Sequence, residues 1–308
     1  MLLSFYYYQF AKKFLITFRQ NKMPYTIYWE KILDGEMGNS LIATYLENSK
    51  PCMIARIGSV EMQAINEIYN VKYHLKKEFS DIKLHTLYTN AGFFPLDYEL
   101  VSKFEEVYRN ACSNVDIMAH LHNRDEDFWI KHFSKGTQHV ALTALEPYYW
   151  ERPWSRVLEG KTILVISPFS ETVEKQYQVR KQLFNNKEIL PEFKLKTFTA
   201  VQSIGDNTGG FSDWFHALQY MQDSISSIEF DIAIIGCGAY SFPLASFCKE
   251  MGKKAIVLGG ATQILFGIKG KRWEQIDKIS SLFNPYWNYP ADNERPQNYE
   301  KVEGGCYW

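Results

Sequence analysis

The sequence predicts an α/β protein with a Rossmann-like, mostly parallel sheet and helices on both of its faces. Three observations lead to this prediction. Short apolar runs alternate with stretches of helical periodicity through most of the chain. Several of these runs end in Gly, Ser or Pro just before a helical stretch, which is typical of strand-to-helix turns. The chain has 308 residues, 46% of them hydrophobic, and is therefore long enough to bury such a core.

The composition argues against several classes of protein. There are 34 Lys and Arg against 35 Asp and Glu, and this balance speaks against a nucleic-acid binder, which would carry a basic surface. The five cysteines form no CxxC pair, so we expect neither a zinc knuckle nor a thioredoxin motif but a reduced, cytoplasmic protein. No apolar run reaches the ~18 residues of a transmembrane helix.

Residues 1–22 are predicted to form a separate basic amphipathic helix. The segment contains Lys and Arg but no acidic residue. Its apolar residues recur at a spacing that places them on one helix face: Leu3, Tyr7, Phe10, Phe14 and Phe18. One interpretation is a helix on an anionic membrane surface, which would make the protein peripheral on the inner face of the cell membrane. The other is a helix docked on the rest of the protein.

Residues 23–155 are predicted to form the N-terminal α/β half. A buried strand at 52–57 is followed by a turn at Gly58 and by helical spacing from Glu61 onward. The other elements predicted in this half are a strand at 85–88, a helix at 98–111, and strands at 115–119 and 138–144.

Residues 156–308 are predicted to form a C-terminal Rossmann-like half, after an aromatic and Pro-rich connection at 146–153. Its predicted strands are 162–167, 193–201, 231–236 and 255–259, and its predicted helices are 171–184, 213–224 and 242–251. Strands that alternate with helices predict right-handed crossovers and a parallel sheet. Ligands of such sheets bind beyond the carboxyl ends of the strands.

Four of the predicted strand-to-helix turns carry residues suited to binding phosphate. Glycine lets backbone amides approach an anion at a helix N-terminus, where the helix dipole favours negative charge. The candidate residues in these turns are Arg56, Gly58, Ser59, Glu61, Ser167, Phe169, Gly236, Gly238, Gly260 and Gln263. Two such turns side by side indicate a nucleotide diphosphate site. The alternative is that glycine merely permits a tight turn.

Two nucleotide-binding classes are disfavoured. Gly236-x-Gly-x-x-Ser241 approaches the dinucleotide fingerprint, but the next predicted strand, 255–259, lacks the acidic residue that would hold the ribose. We therefore do not expect an NAD-dependent dehydrogenase. No Walker A pattern occurs, which argues against a P-loop kinase.

The sharpest basic cluster follows the last predicted strand, at 266–273. Lys269, Lys271 and Arg272 could neutralise a pyrophosphate leaving group, and Trp273 could stack on a sugar or a base. The alternative is a solvated basic turn.

The segment 54–61, Ile-Ala-Arg-Ile-Gly-Ser-Val-Glu, resembles the Arg-x-Gly-Asp-x-Glu signature of bacterial glycosyltransferases with the GT-D fold. Four more segments are similar to relatives of that group encoded in polysaccharide loci: 90–95, 164–169, 230–239 and 266–273. The resemblance extends from about Arg56 to Trp273. It implies a nucleotide-sugar donor and adds Asn90 to the donor-binding candidates.

In that family the acidic pair is expected to hold a divalent cation, Mn²⁺ or Mg²⁺. Ser59 stands where the family has Asp, and a hydroxyl is a poorer ligand for hard cations than a carboxylate. Metal dependence is therefore in doubt, and Glu61 is the candidate metal ligand or sugar-hydroxyl acceptor. Asp206 and Asp213 are candidate bases for the acceptor, with helix capping and turn formation as the alternative for both.

The resemblance implies a glycosyltransferase of bacterial surface polysaccharide biosynthesis. It would move a sugar from a nucleotide-sugar donor to a glycan or lipid-linked acceptor, with no nucleic-acid partner. The alternative is a non-catalytic nucleotide- or sugar-binding partner within a polysaccharide biosynthesis complex.

Overall fold

The computed structural model of the protein describes residues 2–18 and 31–308. Its strands are β1 (Ile32–Leu33), β2 (Cys52–Ala55), β3 (Ile117–His120), β4 (Gln138–Ala141), β5 (Thr162–Ser167), β6 (Lys194–Thr199), β7 (Ile232–Ile235) and β8 (Lys254–Val257). The helices that precede β8 are α1 (Leu2–Phe18), α2 (Gly35–Glu47), α3 (Ser59–Lys72), α4 (Asp81–Ala91), α5 (Tyr98–Cys112), α6 (Glu126–Phe133), α7 (Ser170–Gln178), α8 (Arg180–Leu183), α9 (Trp214–Ser226) and α10 (Ser241–Glu250). Three short helices follow β8: α11 (Ala261–Leu265), α12 (Lys271–Glu274) and α13 (Asp277–Ser280).

All of these strands belong to one parallel sheet, in the order β1-β4-β3-β2-β8-β7-β5-β6. The predicted fold class is confirmed. Strand β8 lies between β2 and β7, with Cys52 opposite Lys254 and Ile54 opposite Ile256. The sheet therefore runs across the predicted boundary at residue 155.

The central strands are apolar throughout because helices cover both faces of the sheet. Met53 and Ala55 of β2 point to a core shared with α3, α5, α9 and α10. Cys52 and Ile54 point to the opposite core, which includes residues of α2 and α7. The alternation along β2 is the two-residue period of a strand, and both sets of side chains are buried.

The prediction of a strand at 85–88 is wrong, because these residues lie inside helix α4. The helix begins after Ser80 and ends at Gly92, whose φ of 80° is the left-handed conformation common at helix C-termini. Only Leu87, Thr89 and Ala91 of this helix are buried. A short apolar run does not distinguish a strand from a half-exposed helix, and here packing against α3 decides.

Helix α1 is docked on the rest of the protein. Phe5 packs edge-on against Tyr69 of α3 and Phe128 of α6, with ring centroids 5.6 and 5.0 Å apart. The Tyr8 hydroxyl donates to the Asp127 carboxylate at 2.6 Å. One turn further along α1, Lys12 forms a buried ion pair with Asp125.

The predicted apolar face of α1 points away from this contact. Leu3, Tyr7 and Phe10 are exposed by 84, 73 and 69%. The side chains of Phe14 and Phe18, and residues 19–22, lie outside what the structure describes. Within the described ranges, no helix has the length and apolar character needed to cross a membrane.

Candidate functional site

A cavity of about 360 Å³ lies beyond the carboxyl ends of β2, β5, β7 and β8. Most of the residues proposed from the sequence line it: Arg56, Gly58, Ser59, Glu61, Asn90, Ser167, Phe169, Gly236, Gly238, Gly260, Gln263 and Arg272. They come together because parallel strands end at the same edge of the sheet. The cavity volume falls in the range of small-molecule sites.

The N-terminus of α3 opens into this cavity. Gly58 precedes the helix and has no side chain to cap it. The Met62 amide donates to the Gly58 carbonyl at 2.9 Å, which starts the helical hydrogen bonding. The amides of Ser59 and Val60 find no acceptor among the described residues. Two N–H groups at the positive end of a helix dipole therefore face the cavity.

Glu61 occupies the space beside Gly58. A Cβ atom at residue 58 would overlap the Glu61 carboxylate, so glycine is required there for steric reasons. The Glu61 side chain is 8% exposed and accepts a hydrogen bond from its own backbone N–H. Burial raises the pKa of Glu61, although this hydrogen bond and the positive charge of Arg56 act in the opposite direction.

The Arg56 guanidinium lies against the turn that follows β8. A Cβ atom on Gly259 would overlap it, and the φ of Gly259 is 59°, so glycine serves both the close approach and the left-handed backbone. Arg56 forms no ion pair or hydrogen bond with any residue in the described ranges. The cavity therefore contains a half-buried cation that forms neither an ion pair nor a hydrogen bond with the described part of the chain.

The turns after β7 and β8 lie side by side. A Cβ on Gly236 would lie 2.5 Å from the Gly259 carbonyl oxygen, so the two turns touch through backbone. The Cys237 amide is already used, because it donates to Ser241 Oγ at 2.8 Å. The amides of Gly260 and Ala261 have no acceptor in the described part of the chain.

The turn after β5 differs, because its helix is capped from a distant part of the chain. Glu294 accepts hydrogen bonds from the Glu171 and Thr172 amides at 2.8 and 3.1 Å, and also from the Thr172 hydroxyl. The Phe169 amide donates to Ser167 Oγ at 3.1 Å. Ser167 and Phe169 therefore line the cavity as wall residues, and the N-terminus of α7 is closed to a ligand.

Arg272 belongs to a wall made with the C-terminal residues. It donates to the Tyr307 hydroxyl at 2.8 Å and forms an ion pair with Glu303. Gln263 is fully engaged in the same wall. Its amide nitrogen donates to the Tyr307 carbonyl at 2.9 Å, and its oxygen accepts from Trp273 at 3.0 Å. Trp273 is consequently buried in the wall, away from any stacking position.

Three buried polar atoms of the lining have no hydrogen-bond partner among the residues that the structure describes: Gln202 Nε2, Thr262 Oγ1 and Trp308 Nε1. A buried polar group normally finds a partner, so each of these atoms is suited to a ligand. The sequence analysis missed all three. Thr262 adjoins a glycine turn that was singled out, but Gln202 and Trp308 lie in irregular segments that carry no motif.

Four predicted residues lie away from the cavity lining. The Lys269 ammonium lies over the rings of Phe283 and Tyr289. Lys271 is exposed, and its ammonium lies 3.4 Å from the Gly304 carbonyl oxygen. Asp213 caps α9, accepting from the His216 amide at 2.9 Å, and Asp206 is paired with Lys301. The two aspartates therefore have the capping and turn contacts considered as the alternative.

The described cavity lining supplies few carboxylates for a divalent cation. Glu61 and Glu303 are the acidic residues of its lining, and Glu303 is engaged by Arg272. Ser59 offers only a hydroxyl. Among the described residues, no group of three or more His, Cys, Asp or Glu side chains could hold a metal ion. A cation such as Mg²⁺ bound here would therefore have Glu61 as its carboxylate ligand and would take most of its other oxygen ligands from substrate phosphate and water.

Comparison of the chain with family models, with curated proteins and with solved structures found no match.

Proposed function

We propose that the protein is a glycosyltransferase that uses a nucleotide-sugar donor and acts in bacterial surface polysaccharide assembly, as the resemblance to the GT-D group suggests. The observation that carries this proposal is the arrangement at the end of β2. An uncapped helix N-terminus, an unpaired Arg56 and a buried Glu61 face one cavity.

The donor diphosphate is assigned to the cationic side of the cavity. Phosphate oxygens would accept from the free amides of α3 and of the turn after β8, and would pair with Arg56. Arg272 lies on the same lining. These donors would stabilise the charge that develops on the leaving diphosphate as the glycosidic bond breaks.

Glu61 is assigned to the acceptor side. In the transfer, the acceptor hydroxyl attacks the anomeric carbon, the bond from that carbon to the diphosphate breaks, and the hydroxyl proton passes to Glu61. Burial raises the pKa of Glu61, and a carboxylate with a raised pKa accepts this proton more readily at neutral pH than an exposed carboxylate does. No step is assigned to a metal ion.

The second candidate is a non-catalytic nucleotide- or sugar-binding partner in a biosynthetic complex. The observation in its favour is that the described cavity lining has only one carboxylate outside an ion pair, Glu61. Glu303 is paired with Arg272, and Asp213 lies away from the lining, where it caps α9. Such a module would bind the donor through the same amides and Arg56 without cleaving it.

Two measurements on the purified chain distinguish these candidates. The first is a thermal-shift screen of nucleotide sugars against the free nucleoside diphosphates, because a ligand that binds the native state raises the melting temperature. The second is release of nucleoside diphosphate from each stabilising donor, with EDTA and with Mn²⁺. The transferase predicts release of nucleoside diphosphate, and the response of that release to EDTA and Mn²⁺ reports whether a metal ion takes part. The binding module predicts stabilisation without release. Failure of every nucleotide and nucleotide sugar to stabilise the protein would contradict both.

A further inference from the structure

Helix α1 presents an apolar face that the described residues leave uncovered. Leu3, Tyr7 and Phe10 follow one another at helical spacing and are exposed by 84, 73 and 69%. Single exposed apolar side chains are ordinary, but an aligned row of large ones marks an interaction surface.

The opposite face of α1 holds the helix in place. Phe5 and Tyr8 are buried against α3 and α6, and Lys12 is buried in its ion pair with Asp125. A buried ion pair is costly to break, because separation would leave an unpaired charge in the interior. The row of Leu3, Tyr7 and Phe10 is therefore directed outward by the fold.

The charges around α1 are segregated by sign. The acidic residues of the two helices under α1 are all buried, namely Glu61 and Glu67 in α3 and Glu126 and Asp127 in α6. Their exposed charged residues are cations, Lys72 and Lys131. Arg124 is 68% exposed and lies 3.6 Å from the same Asp125 carboxylate that pairs with Lys12. The exposed charged side chains of α3 and α6 are therefore cations.

We infer that α1 docks the protein on an anionic membrane, with Leu3, Tyr7 and Phe10 inserted among the headgroups and acyl chains. An interfacial helix inserts a row of aromatic and aliphatic side chains while flanking cations attract acidic lipids. The exposed row on α1 and the exposed lysines of α3 and α6 together supply both features. This inference does not depend on the nucleotide site.

A second copy of the chain fits this face less well. In a two-fold dimer the same surface meets itself, so the cations beside α1 would face each other. The exposed row is also small. A whole aromatic side chain buries about 150–250 Å², and three side chains fall short of the roughly 800 Å² per partner of a stable protein interface. A lipid surface needs no matching protein surface.

The test is co-sedimentation of the full chain with phosphatidylcholine vesicles and with mixed phosphatidylcholine–phosphatidylglycerol vesicles, at low and at high salt. We expect binding to the anionic vesicles at low salt, weaker binding at high salt because salt screens the cations, and little binding to the neutral vesicles. The variant Leu3→Gln/Tyr7→Gln/Phe10→Gln should reduce binding by at least about tenfold. Gln keeps helix propensity, so this variant should retain the wild-type melting temperature.

The matched control is Met37→Gln/Tyr220→Gln/Tyr286→Gln, which removes three exposed apolar residues elsewhere on the surface. It should bind the anionic vesicles like the wild type. The inference is overturned if the wild type stays in the supernatant with anionic vesicles at low salt. It is equally overturned if the α1 variant sediments as well as the control, or if the wild type self-associates through this face and ignores the vesicles.

Discussion

The N-termini of α3 and α7 occupy equivalent places in the fold but have opposite surroundings. Each helix begins just beyond a buried strand, β2 or β5, and each turn contributes to the cavity lining. At α7 the first amides are bound by Glu294. At α3 the amides of Ser59 and Val60 remain without an acceptor in the described chain, and Arg56 beside them is unpaired.

The difference shows what separates a structural turn from a binding turn. Both helices have the dipole and the unsatisfied amides that attract an anion. The fold supplies α7 with a carboxylate of its own and leaves α3 open, next to an arginine. Four predictions on three variants test this contrast, from the largest expected effect to the smallest.

Replacing the carboxylate of Glu61, at the N-terminus of α3, should have the largest effect. We expect Glu61→Gln to lower turnover by about 10²–10⁴-fold, because an amide keeps the shape of the side chain but cannot accept the acceptor's proton. The measurement is steady-state release of nucleoside diphosphate. The matched control is Glu105→Gln, since Glu105 is also a buried glutamate with a raised pKa but lies off the cavity lining. A Glu61→Gln protein with wild-type turnover would remove this residue from the reaction.

Removing the unpaired cation should weaken nucleotide binding. A charge-assisted hydrogen bond contributes about 1.5–3 kcal/mol, so Arg56→Gln should raise the Kd for the nucleotide by about 10- to 150-fold in calorimetric titration. The control is Lys269→Gln/Lys271→Gln, which removes two cations that lie outside the cavity lining. If the lysine pair weakens binding as much as Arg56→Gln does, the diphosphate lies at the basic turn instead.

Weakening the cap of α7 should lower the free energy of unfolding and leave the nucleotide site intact. Glu294→Gln replaces a charged acceptor of the Glu171 and Thr172 amides with a neutral one. We expect the free energy of unfolding in urea to fall by about 1–3 kcal/mol, with an unchanged Kd for nucleotide. Glu300→Gln, at an exposed position nearby in the chain, is the control and should change neither. A Glu294→Gln variant as stable as the control would contradict the capping role.

The smallest effect is a pH dependence of stability. Because burial raises the pKa of Glu61 above its unfolded value, the native state holds this proton more tightly. The associated stability is present below the unfolded pKa and is lost as the pH rises through the folded pKa. Glu61→Gln should therefore gain stability relative to the wild type as the pH rises from about 4 to 8 in urea unfolding. Parallel pH profiles for the two proteins would show that Glu61 titrates normally.

The open turn could be predicted from the sequence because its parts are local. Ten residues contain the apolar strand together with Arg56, Gly58 and Glu61. The glycine that follows the strand marks the turn that brings these side chains together. The cap of α7 could not be predicted in the same way. Glu294 and Thr172 are 122 positions apart, and nothing in either segment signals the contact.

Side-chain direction accounts for the remaining differences between prediction and structure. The glycine pattern located the turn at 266–273, but it could not show that Lys269 lies over two aromatic rings and that Arg272 turns to the cavity. The same limit applies to Gln202 and Trp308, which reach the lining from irregular segments. Strands β5 and β7 were predicted because near-continuous burial leaves an apolar run that needs no long-range information.

The position of β8 has a consequence for synthesis on the ribosome. Strand β2 emerges early, but the neighbour that completes its pairing is the last strand of the sheet in the described chain. Until β8 leaves the exit tunnel, the nascent chain carries the backbone edge of β2 unpaired, and such an edge can recruit another polypeptide. Pairing of β2 on this side thus waits until β8 has been translated, and a chain cut off before β8 would lack the strand that joins its two halves.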